Sequence, residues 1–96
     1  MSLPVFNRML ARCLAQALKA GEICNKSLVV DCYAAARRDA NLQPETPTDP
    51  LVLDIQALCI AHDLRVLKAN HEELVSLSIE EAEAAILRLL NPDLRI

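Results

Sequence analysis

Residues 50–68 read PLVLDIQALCIAHDLRVLK, and the reading of this stretch decides the fold. Its only proline is the first residue, it has no glycine, and it is long enough for five helical turns. On a helical wheel with about 100° per residue and Asp54 at zero, Leu53, Ala57, Ile60, Leu64 and Leu67 fall between about 220° and 300°. By the same arithmetic, Leu51, Val52, Ile55, Leu58, Cys59 and Val66 fall between about 40° and 160°. Two narrow polar seams separate these faces: Asp54, Arg65 and Lys68 on one side, Gln56 and Asp63 on the other. A surface helix of a small domain carries one apolar stripe. A helix with two has to be covered twice, by its own chain or by another. The expectation is that Leu53, Ala57, Ile60, Leu64 and Leu67 face the monomer core. Leu51, Ile55, Leu58 and Val66 are then the candidate interface for a second chain.

Immediately upstream, residues 41–50 read NLQPETPTDP. Three prolines within seven residues break any helix, so 43–49 is expected to be a Pro-rich linker between two helical halves of one domain, 1–96. Asp49 is placed to cap the helix that follows, with Pro50 at its first position. Before the linker, Val5, Met9, Cys13 and Ala17 recur every four residues beside Phe6, Leu10, Leu14 and Leu18, opposite Arg8, Arg12, Gln16 and Lys19. That is a helix over about 4–20. Ser2 suits its start, and Gly21, the only glycine of the chain, suits its end. A second helix is expected over about 27–42, capped by Asn25 or Ser27. The competing reading is a strand at 28–33, favoured by the β-branched Val29 and Val30.

After the central stretch, Asn70-His71-Glu72-Glu73 and Ser78-Ile79-Glu80-Glu81 both have the form of a capping box. They predict a short helix near 71–76 and a longer one over 79–90, stopped by Asn91-Pro92. Residues 61–70, AHDLRVLKAN, also follow a cadence that resembles the closing αβ unit of PIN-type nucleases. That resemblance implies a strand over Arg65 to Lys68. The family's opening strand with its metal-binding Asp has no counterpart here, because the chain begins with an amphipathic helix. The fold class expected is all-α: a compact bundle of four main helices, about 4–20, 27–42, 50–69 and 79–90, plus the short one.

Composition supports this. Hydrophobic residues make up 53% of the 96 and aromatics 2%, so the apolar content is dominated by Leu and Ala, both strong helix formers. One glycine is too few for the turns of a sheet protein. The mean hydropathy of +0.22 is high for a chain with so much surface per volume, and it argues that a partner buries part of that surface. No apolar run reaches the roughly 18 residues of a membrane span, and Arg8 and Arg12 interrupt the first apolar stretch, so the expected location is the cytoplasm. A net charge of −3 with basic residues scattered along the chain makes a nucleic-acid partner unlikely.

Few residues carry chemistry. Cys59 and His62, three apart on one helix, are the one pair with ligand or nucleophile character; Cys13, Cys24, Cys32 or His71 would have to complete a zinc site. No CxxC knuckle and no glycine-rich, oxyanion-forming turn accompanies them. Cys59 is therefore read as core, with His62 at its edge. No metal, cofactor or catalytic residue is assigned. The acidic cluster Glu72, Glu73, Glu80, Glu81 and Glu83 sits in first turns, where the helix dipole favours it. The function expected is a small non-enzymatic interaction or regulatory domain, acting through an apolar helical face as a homodimer. The alternatives are a nucleic-acid-associated regulator using Arg8, Arg12, Arg37 and Arg38, or a helical domain that binds a small molecule.

Overall fold

The computed structural model describes the backbone of residues 3–39 and 50–90, and the side chains of 5–39 and 56–90. Five helices follow one another: α1 Leu3–Lys19, α2 Lys26–Asp39, α3 Pro50–Ala69, α4 His71–Ser76 and α5 Ile79–Leu89. No strand occurs among the described residues, neither at 28–33 nor at 65–68. The fold is the expected all-α bundle, and a radius of gyration of 12.7 Å is that of a compact chain of this length. No helix among the described residues is long and apolar enough to cross a membrane. The Pro-rich stretch 43–49, the Ser2 and Asp49 caps, residues 40–42 and the Asn91-Pro92 stop lie outside the described residues.

The centre of the molecule is α1, not α3. α1 packs against α2, α4 and α5, whereas α3 packs chiefly against α2. The cause lies in the width of the apolar face. Phe6, Leu10, Leu14, Ala17 and Leu18 are buried, and so are Ala11 and Ala15 on the adjoining side. Val5, Met9 and Cys13 pack half-buried against the same core. Among the described side chains of α1, only the Arg8, Arg12, Gln16, Lys19 strip is left to water. Its edges mark the neighbours: Cys13 meets Cys32 on α2, while the Arg12 guanidinium Nε donates to Glu83 on α5 at 3.2 Å. Lys19 Nζ donates to the Val75 carbonyl at the end of α4, at 3.0 Å. Leu10 and Leu14 show no surface at all, and each contributes about 1.5–3 kcal/mol by burial.

Local chemistry sets the helix ends. Gly21 has φ +82°, and its N–H donates to the Leu18 carbonyl while that of Glu22 donates to Ala17, both at 3.1 Å. This is the paired C-terminal motif that glycine makes possible. Asn25, rather than Ser27, caps α2: its Oδ1 accepts from the Leu28 N–H at 2.9 Å. Ser78 and Glu81 form the expected capping box, each side chain accepting from the other's backbone N–H, at 3.2 and 3.4 Å. Asn70 does not behave as its sequence suggests. Its side chain makes no cap bond to α4 but turns back, Nδ2 donating to the Val66 carbonyl at 2.8 Å. The Val66 carbonyl also accepts from the Asn70 backbone N–H, at 3.2 Å, so Asn70 closes the end of α3 with two hydrogen bonds to one acceptor.

Candidate functional site

The way α3 is seated decides what it offers to a partner. Along its described half, Cys59, Asp63 and Leu67 are buried, one turn apart on a single line. Gln56, Ile60, Leu64, Val66 and Asn70 flank that line half-buried. The inward centre of the helix is therefore the narrow Gln56–Asp63 seam, not either apolar stripe. The two stripes are tilted to the sides, and the seam of Arg65 and Lys68 points outward with Ala57, Leu58, Ala61 and Ala69.

A carboxylate at the inward centre is costly unless it is paired. Asp63 has no exposed surface, and its Oδ2 accepts a short hydrogen bond from the Tyr33 hydroxyl on α2. Its other oxygen lies 3.4 Å from Nδ1 of His62, long for a hydrogen bond and set by the two residues being adjacent. Tyr33 is itself held edge-on against Phe6 of α1, with ring centroids 5.8 Å apart and planes at 77°. Phe6, Tyr33 and Asp63 thus run as a chain of contacts from α1 through α2 to α3. The chain orients α3: turning it by one residue would drag the carboxylate out of reach of the phenol.

The residues singled out from the sequence fall as follows. Leu58 is 70% exposed, and Val66 is half-buried at the side of the helix. Leu51 and Ile55 belong to α3, but their side chains lie outside the described residues, as does that of Leu53. Leu67 is buried, Ile60 and Leu64 are packed against the core from its edge, and Ala57 is exposed. Cys59 is buried and His62 is about one-third exposed. Among the described residues no group of three or more His, Cys, Asp or Glu stands ready to hold a metal. The acidic residues of the last third are dispersed, Glu81 serving the Ser78 cap and Glu83 the ion pair with Arg12.

Two features escaped the sequence reading. One is the Tyr33–Asp63 bond. Its signal was present: an acid flanked by apolar residues on both sides requires a donor, and the chain has a single tyrosine. The other is the contact between Cys13 and Cys32, whose spacing of 19 residues matches no motif. Beyond these, Asn7 on α1 is buried with its Oδ1 unpartnered among the described residues.

Comparison with known proteins finds no matching family model, and neither a curated protein nor a solved structure matches the chain. What the protein does is therefore argued from its own geometry.

Proposed function

We propose that the protein is a small non-enzymatic interaction domain whose binding face is the outer side of α3, and that its first partner is a second copy of the same chain. The carrying observation is Leu58, a large aliphatic side chain 70% exposed in the middle of the most apolar helix. A single exposed leucine is ordinary. Here it is flanked by the exposed Ala57 and Ala61, whose small side chains let another helix approach, and bordered by Arg65 and Lys68. An apolar centre with a polar rim is the anatomy of an interface. By position along α3, Ile55 and Leu51 continue the row one and two turns before Leu58, and Val66 ends it. A two-fold arrangement suits such a row, because the same patch then serves both subunits. The high apolar content of so short a chain favours the same reading, since a second copy removes that surface from water.

The test is the mass of the protein in solution. Light scattering on the chromatographed wild type is expected to give a dimer, and Leu58→Lys a monomer with unchanged helix content. A wild type that stays monomeric at high micromolar concentration would remove the homodimer. A dimer unaffected by Leu58→Lys would move the interface elsewhere.

A further inference from the structure

Two thiols that belong to different helices are already in contact. Cys13 of α1 and Cys32 of α2 are not bonded, yet their Sγ atoms lie 2.9 Å apart. A disulfide holds its sulfurs at about 2.05 Å, so less than about 1 Å of closure separates the two states. Cys13 is also within reach of solvent. An open cleft of about 390 Å³ runs along the α1–α2 side of the molecule, with Cys13 and Cys32 both in its lining. Its walls include the apolar Leu28 and Ala35, together with two exposed carboxylates, Glu22 and Asp31. Among the described residues no lysine or arginine lines it.

We propose that Cys13 and Cys32 form an exchangeable dithiol, closed to an intramolecular disulfide by a small cationic disulfide that enters this acidic cleft. Cys13, half-buried, is the sulfur that an entering molecule meets first; Cys32 is almost wholly buried. Burial first, then the hydrogen bond between the two thiols and the negative charges of Glu22 and Asp31, push the Cys32 thiol well above the usual range. The order of events follows. The Cys13 thiolate attacks one sulfur of the incoming disulfide, the S–S bond breaks, and one thiolate leaves. Cys32 then gives up its proton and attacks Cys13 Sγ, expelling the second thiolate. The two protons lost by the cysteines end on the two released thiols. The protein's thiols are oxidised to one disulfide, and the small disulfide is reduced to two thiols. Glu22 and Asp31 attract a cation and repel an anion, so charge sets which disulfide arrives. Closure ties α1 to α2 across their hairpin and leaves the outer side of α3 untouched, so this inference stands apart from the dimer reading.

The experiment treats the reduced full-length chain with cystamine, and separately with glutathione disulfide at the same concentration, and follows intact mass and non-reducing peptide maps. Cystamine is expected to remove two hydrogen masses from the monomer and to yield the linked Cys13–Cys32 peptides. It should act about tenfold faster than glutathione disulfide at low salt, with the gap narrowing as salt screens the carboxylates. The thermal midpoint of the closed form should rise by on the order of 10 °C. Cys13→Ala and Cys32→Ala should each abolish closure, and Cys24→Ser should leave it intact. Four results overturn the proposal: linkage through Cys24 or Cys59, disulfide-linked dimers, a cystamine adduct that persists on Cys13, or equal rates for the two disulfides. The wild-type peptide map decides the pairing even if a cysteine variant fails to fold.

Discussion

α1 and α3 are both long apolar helices, yet they occupy opposite places in the molecule. α1 is covered by α2, α4 and α5 and, among its described side chains, shows only a strip of charged and polar residues. α3 is the more apolar in sequence, yet it leans on α2 and leaves Leu58 in water. The difference comes from how the apolar residues are arranged. On α1 they are contiguous around most of the wheel, so neighbours can close over them without burying a charge. On α3 they are split by Asp63, and the helix is seated where that one carboxylate finds the Tyr33 hydroxyl. A buried carboxylate that has to be paired outweighs several leucines in choosing an orientation. Each leucine keeps part of its burial in many orientations, whereas an unpaired buried carboxylate costs more than any one of them contributes.

This contrast can be broken at several points, and the expected effects descend in size. Leu14→Ala, at the fully buried centre of α1, should cost about 3 kcal/mol, read from urea unfolding. Leu58→Ala on α3 should lie within about 0.5 kcal/mol when measured on the monomer. If the two were equal, the claim that α1 and not α3 carries the core would fail. Next in size is the joint itself. Asp63→Ala and Tyr33→Phe should each cost about 2 kcal/mol, and a double-mutant cycle should return a coupling of about 1–3 kcal/mol between them. Additive effects would mean that the bond does not orient α3.

The alkaline limb comes third. Cys32 titrates higher folded than unfolded, chiefly because it is buried, so its contribution is complete below the unfolded thiol's value and is lost as pH rises past it. The unfolded value is about 8.5, so stability should fall above about pH 9, by up to about 1.4 kcal/mol per pH unit from this one group. Cys32→Ala should flatten that limb, as pH-dependent melting would show. The smallest effect is the contrast between caps: Ser78→Ala should cost about 1 kcal/mol and Asn70→Ala less, since only Ser78 caps the helix it precedes.

Much of the fold was legible in the sequence, and the reasons are local. Gly21, Asn25 and the Ser78–Glu81 box each state where a helix stops or starts, and each does so in the structure. The seating of α3 was not legible from a wheel alone. A wheel ranks faces by apolarity and does not say which seam turns inward, so Asp63 read as part of a polar seam between two faces when it is the buried centre. The Asn70 box misled for a related reason: the same side chain can serve the helix behind it or the one ahead, and the pattern S/T/N-x-x-E does not say which. The Cys13–Cys32 contact depends on how α1 and α2 cross, which no spacing encodes. Of the candidate interface, the sequence supplied the row of positions, and the structure supplied the exposure of Leu58.

Hydrogen exchange along the chain, at several protein concentrations, tests the central claim most directly. Amides of α1 around residues 10–18 should exchange only on global unfolding and be the slowest of the molecule. Those of α3 around residues 57–66 should exchange faster in dilute solution and, on the proposed dimer, slow as concentration rises. If α3 is as protected as α1 at the lowest concentration, or its protection does not change with concentration, then the outer face of α3 is not where the protein meets its copy.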